Sequence, residues 1–153
     1  MYHYTACGLD NVWLTNGYVE RDTAYGQSVS ITKARELHQL LACDLAKKKG
    51  TLTGKELRFL RVQMGLSQEG FAKLHGVTEQ AVSNWERTGR LPIANDRLTR
   101  MYYIGHVDKD TPVAKAIDRL KTIESLVHQR IVATTSKTKG WSSKITIEDE
   151  VAA

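Results

Sequence analysis

The chain of 153 residues has only two cysteines, Cys7 and Cys43, and no Cys-x-x-Cys pair. That shortage excludes a disulfide framework and the paired knuckles of a zinc module. His3 with Cys7, and His38 with Cys43, are spaced more loosely than a knuckle, so no metal site is expected. There is no run of about 18 apolar residues to read as a membrane span. The first residues also lack the basic start, apolar stretch and small-residue cleavage site of a secretory leader. A soluble, cytoplasmic chain with no membrane partner is the expectation. Gly-x-Ser-x-Gly and Walker-type phosphate loops are missing, the five histidines are scattered, and acidic pairs fall only at helix surfaces or near the end. No enzyme, no catalytic residue and no cofactor are therefore expected.

What is present leans basic: 22 Lys and Arg against 17 Asp and Glu, a formal charge of +5, which fits a polyanion partner. Placement says more than the total. Arg58, Arg61, Lys73, Arg87, Arg90, Arg97 and Arg100 all fall within or beside one segment, and some of them are expected to neutralise phosphates.

That segment runs from Leu66 to Glu86. Ser67 and Thr78 each precede an apolar-periodic run, where a hydroxyl can accept from the orphan amides of a new helix, so both read as N-caps. Two helices cross tightly only if the contact residue is small and the turn tolerates a positive φ; Ala72 and Gly76 meet those needs. Phe71, Ala72, Val77, Val82 and Trp85 make the inward face, and Trp85 is assigned mainly to packing. Glu79, Gln80, Ser83 and Asn84 are left facing outward near a helix N-terminus. Short or amide-bearing side chains at i, i+1, i+4 and i+5 suit a helix that reads base edges, since Asn and Gln can pair bidentately with adenine. Glu86 is expected to cap or brace the motif rather than meet DNA, because a carboxylate beside phosphates is repelled unless an Arg lies between.

Around the motif, residues 1 to about 31 alternate aromatic and apolar residues, with Asn16-Gly17 and Tyr25-Gly26 as turn signals, which predicts a meander of short strands. Tyr2, Tyr4, Trp13, Tyr18 and Tyr25 read as the core of that module rather than as a ligand sensor. From Thr32, a candidate cap, the period becomes helical, with Leu37, Leu40, Leu41 and Leu45 on one face and Lys47-Lys48-Lys49-Gly50 at the end. Thr53-x-x-Glu56 is a capping box, followed by Leu57, Leu60 and Met64, with Gly65 as the stop. Pro92 opens a further helix in which Leu98, Met101, Tyr102 and Ile104 close the bundle.

A last amphipathic segment from Thr111 carries Val113, Ile117, Leu120, Ile123 or Glu124, Val127 and Ile131 roughly along one stripe. It is a candidate dimer seam. From Thr134 the chain turns rich in Ser, Thr and Lys, with Glu148-Asp149-Glu150 near its end, the composition of a flexible tail. Trp141 with Ile145-Thr146-Ile147 is the alternative for a short strand or a partner-binding peptide. The expected fold is α+β, mainly α. A β-rich module with a linking helix (1–50) is followed by a four- or five-helix DNA-binding bundle (51–107), an amphipathic helix (108–133) and a tail (134–153).

Residues 53 to about 104 resemble the Cro/C1-type (XRE) family of transcriptional regulators. The match lies in Leu66-Ser67-Gln68, Phe71-Ala72, Gly76-Val77 and Val82-Ser83-Asn84-Trp85-Glu86. The resemblance implies double-stranded DNA as partner, a Cro/C1-type bundle, Gln68 on the phosphate backbone and Glu79, Gln80, Ser83 and Asn84 on bases. Lys73, Thr78, Arg87 and Arg90 are assigned to phosphates beside them. His75 stands where the family carries an apolar residue, so a neutral, hydrogen-bonded imidazole is expected there. A repressor acting as a homodimer on an inverted repeat follows from reach, since one helix reads only a few base pairs.

The layout of the first fifty residues, with Cys7-Gly8-Leu9, Leu52-Thr53-Gly54-Lys55-Glu56-Leu57 and Arg58-Phe59-Leu60-Arg61, is also similar to MqsA-type antitoxin repressors, without their zinc-binding cysteine pairs. That similarity implies an alternative: the N-terminal module neutralises a toxin protein while the helix-turn-helix autoregulates.

Overall fold

The computed structural model describes residues 1–120 and 128–148, and the chain divides into two compact units, Met1–Asp118 and Arg119–Ala153. In the first unit, β1 (Tyr2–His3) pairs antiparallel with β2 (Trp13–Leu14). β3 (Tyr18–Thr23) then pairs with β4 (Gly26–Ile31) in a hairpin that is mostly exposed. The two turn signals thus mark real turns. The aromatic core does not form as expected: of the five residues only Tyr4 is buried, together with Leu9 and Val12. Tyr2 stacks on Tyr18 at 5.1 Å, Trp13 stacks on His3 at 4.1 Å while staying exposed, and Tyr25 stands fully in solvent at the hairpin tip. A two-stranded ribbon has room to cover one face at most, so alternation alone overstates burial here.

α1 (Ala34–Ala46) follows, entered through Lys33 in the left-handed region at φ 48°, with no side-chain cap. Thr32 is therefore not its cap. Ala42 and Leu45 are buried, Leu37 and Leu41 half-buried, and Leu40 points outward, which narrows the expected stripe. α2 (Gly54–Gln63) starts at the expected capping box: Thr53 Oγ1 accepts from the Glu56 amide and Glu56 Oε1 from the Thr53 amide at 2.8 Å. Lys48 adds an ion pair to the same carboxylate at 2.7 Å, so this member of the lysine run braces the start of α2. Leu57, Leu60 and Met64 fill the core beneath.

α3 (Gln68–His75) and α4 (Glu79–Thr88) form the helix pair of the motif, and α5 (Ile93–Val107) closes the bundle after Pro92. Its inward residues are Thr99, Tyr102 and Tyr103; Met101 and Ile104, expected inside, are 46% and 47% exposed. α5 also holds the connection from α1 to α2. Asp96 Oδ2 accepts from the Leu52 amide at 2.6 Å, Arg100 Nε pairs with Asp96 Oδ1 at 2.8 Å, and the Arg100 guanidinium donates to the carbonyls of Lys48 and Gly50. Within the first unit the first strands, α1 and the helical bundle share one core.

α6 (Pro112–Leu120) begins where Thr111 Oγ1 accepts from the Ala114 amide, and Ala114 and Ile117 are buried. The helix expected over 108–133 does not run that far. From His128 the chain is strand, and Ile123, Glu124 and Val127 lie outside the described residues.

In the second unit β5 (His128–Ser136) pairs with β6 (Gly140–Glu148) along nine residues each, so the tail expected from Thr134 is half of a hairpin. The β-branched residues Ile131, Val132, Thr134 and Thr135 on β5 and Ile145-Thr146-Ile147 on β6 favour extended backbone over helix. The end of the expected tail, residues 149–153, lies outside the described residues.

Candidate nucleic-acid interface

The site is built on a helix pair whose ends are fixed locally. Ser67 Oγ accepts from the Gly70 amide at 3.0 Å and Thr78 Oγ1 from the Ala81 amide at 3.2 Å, so both expected N-caps are in place. Gly76 takes φ 65° at the end of α3, a conformation that costs a Cβ-bearing residue about 1 kcal/mol or more. Phe71, Ala72, Val82 and Trp85 are buried and Val77 half-buried. The full burial of Phe71 and Val82 contributes roughly 1.5–3 kcal/mol each and fixes which face of α4 looks out.

The outward arc of α4 holds all four residues expected to read bases. Glu79 and Gln80 are exposed, and Ser83 and Asn84 are half-buried. Gln80 Nε2 donates to Asn84 Oδ1 at 3.1 Å, and Arg87 donates to the same oxygen at 2.5 Å. Arg87, assigned to a phosphate in the sequence, thus shares the arc with the residues assigned to bases. At about 100° per residue it falls between Ser83 and Gln80, in the middle of the arc, and the spacing of Gln80, Asn84 and Arg87 at i, i+4 and i+7 was the signal.

Of the other residues assigned to phosphates, Lys73, Thr78 and Arg90 are exposed. Lys73 approaches Glu69 at 3.7 Å, an exposed pair worth little. Gln68 is half-buried at the start of α3, and its Nε2 donates to Glu86 Oε2 at 2.9 Å, leaving its second N–H and its carbonyl oxygen to reach outward. A cleft between the starts of α2 and α3 and the outer side of α4 is lined by Lys55, Arg58, Gln68, Ser83 and Arg87, so cations flank the arc on its α2 side.

Two of the seven clustered cations are structural. Arg61 Nε and Nη2 both donate to Glu86 Oε1 at 2.9 Å, and its Nη1 donates to the Leu66 carbonyl at 2.9 Å. Glu86 thereby ties α2, α3 and α4 together through one carboxylate, the bracing role its sequence position suggests. Arg100 is held by Asp96 and the 48–50 carbonyls.

Beneath the turn, His75 packs against Phe71 at 4.3 Å, Tyr102 at 5.3 Å and Trp85 at 5.9 Å between ring centroids. The Asn95 amide nitrogen lies 2.9 Å from Nδ1. An amide NH2 can only donate, so Nδ1 accepts and the neutral ring carries its proton on Nε2. Burial lowers its pKa from the ordinary 6.5 to about 4. The unfolded ring therefore takes up a proton that the folded ring refuses, and this contribution to stability, complete above pH 6.5, falls as pH drops toward 4. A loss of roughly 2 kcal/mol is expected, less than a wholly buried ring would give because solvent reaches part of this one. Chemical denaturation of wild type and His75→Phe as a function of pH measures it: the gap between the two should change over this window and stay constant above it.

Among the candidate metal ligands of the first unit, His3 Nε2 bonds the Asp10 carbonyl at 2.7 Å, His38 Nε2 the Tyr4 hydroxyl at 2.8 Å, and Cys7 the Tyr4 carbonyl at 3.5 Å. Each has a partner within the packing of the first strands and α1.

A capped helix, a turn through a left-handed glycine and a second helix with a polar outward arc define a helix-turn-helix. Residues 57–92 match the helix-turn-helix family model, and over them the chain carries a Cro/C1-type motif of the XRE family, a family of DNA-binding regulators. No curated protein and no solved structure gives a significant match to the chain. No helix among the described residues is long and apolar enough to cross a membrane.

Proposed function

We propose that this protein is a sequence-specific double-stranded-DNA-binding regulator, a repressor that acts as a dimer on an inverted repeat. The observation that carries it is the outward arc of α4. Glu79, Gln80, Ser83, Asn84 and Arg87 contain no apolar side chain, and they are held outward by buried Val82 and Trp85 on the opposite side. A helix of this width fits the major groove, where Asn84 and Gln80 suit adenine and Arg87 suits guanine. Gln68, Lys73, Thr78 and Arg90 border the arc and would hold the phosphates on either side. The hydrogen bonds among Gln80, Asn84 and Arg87 order these side chains before DNA arrives, which lowers the entropy cost of docking. Two copies related by a dyad would read half-sites roughly 34 Å apart. Occupation of a site that transcription needs is by itself sufficient for repression.

Selection of bound sequences from random duplex DNA is the test. A palindromic consensus is expected, and Asn84→Ala should lose roughly 1–3 kcal/mol of discrimination, about 5- to 150-fold, at one defined position per half-site. Failure of the wild-type chain to enrich any duplex would overturn the proposal.

A further inference from the structure

Taken by itself, the β5–β6 ribbon has one apolar face. Directly opposed residues of an antiparallel pair share a face. The register therefore sets Gln129 with Ile147, Ile131 with Ile145, Ala133 with Ser143 and Thr135 with Trp141 on one side. Ile131, Ile145, Ile147 and Trp141 are 58%, 60%, 65% and 75% exposed. No residue on this face is charged, whereas Arg130 and Lys144 fall on the other. A two-stranded ribbon is marginal in water by itself, and a row of large apolar side chains along it calls for a cover.

We infer that the cover is the same face of a second copy, the two ribbons packing about a two-fold axis to supply the dimer on which the proposed operator reading rests. The order of side chains along the face favours this occupant. An axis through its middle sets the layer of Ile131 and Ile145 against the partner's layer of Ala133 and Ser143, large against small, so that each isoleucine pair seats where the facing ribbon is low. The same operation sets Trp141 against Ile147 at each end. The face is thus complementary to itself in shape, as an isologous contact requires, and two copies meet there without any like charges. The same operation on the opposite face would set Lys144 against its own copy, and that face is not expected to associate.

Sedimentation equilibrium of the full chain tests this. The weight-average mass should rise with concentration from one chain toward two. Ser143→Tyr should remain a single chain at every concentration: the new ring fills the hollow that a partner's isoleucine needs, while a β-favouring residue beside Ala133 leaves its own ribbon paired. Ile131→Lys should also remain a single chain, and Val132→Lys, on the charged face, should associate as the wild type does. A wild type that stays monomeric, or a Ser143→Tyr chain that still dimerises, overturns the inference. On a selected half-site, Ser143→Tyr should keep wild-type base preference and lose only cooperative filling of the repeat. Failure of DNA reading would instead appear as no enriched duplex, with self-association as measured.

Discussion

Gly54→Ala is expected to destabilise the chain by roughly 3 kcal/mol. A glycine-to-alanine change in a helix normally stabilises by about 0.4–1 kcal/mol, because the unfolded chain loses freedom. The packing overrides that gain. Gly54 is the first residue of α2, and a Cβ built on it would lie 2.1 Å from the Glu86 carbonyl oxygen and 2.8 Å from its carbon. Those atoms are backbone, so relief requires α2 and the last turn of α4 to separate. Thermal unfolding followed by circular dichroism should show a fall in Tm of on the order of 10–20 °C. DNA affinity should fall as well, because the helix displaced is the one that carries the outward arc. A variant as stable as wild type would mean that the two helices do not meet at Gly54.

Loss of the Glu86 carboxylate comes next in size. Glu86→Ala should cost about 3–5 kcal/mol, since it leaves the Arg61 guanidinium, only 11% exposed, with the Leu66 carbonyl as its remaining partner and strips the Gln68 amide of its acceptor. That loss is a large share of the 5–15 kcal/mol typical of a folded domain. The charge pair itself is not the source of the net stability, because desolvating two ions offsets most of their attraction. A double change, Arg61→Met with Glu86→Leu, should therefore recover most of the loss. Urea midpoints at unchanged slope measure both. If Glu86→Ala and the double variant are equally unstable, shape at this junction matters and charge does not.

Both effects sit at contacts that sequence patterns reach only partly. Local signals were legible because their cause is local: Ser67, Thr78 and the Thr53–Glu56 box cap helices through atoms three residues away, and Gly76 is required by its own φ. The bracing role of Glu86 could be inferred from the chemistry of a carboxylate near phosphates, but not that Arg61 and Gln68 would share it. Gly54 carried no signal, since its constraint is the α4 backbone more than thirty positions on. On α5, Met101 and Ile104 were expected inside because apolar spacing cannot say which of two adjacent stripes faces the core; Tyr102 and Tyr103 took that place, with hydroxyls reaching the Leu74 and Gln39 carbonyls. From His128 onward the expected helix and tail give way to strand for a different reason. Ile131 extends a helical stripe as naturally as it alternates along a strand, and the β-branched residues around it settle the matter only once β6 is there to pair with.

The strap of Asp96 and Arg100 on residues 48–52 makes that stretch a splint where a hinge would be usual. Tyr4 reaches His38 on α1, His38 meets the edge of Phe59 on α2, and the start of α2 abuts the last turn of α4. An unbroken run of contacts thus joins the first residues to the last turn of α4, one residue before Arg87.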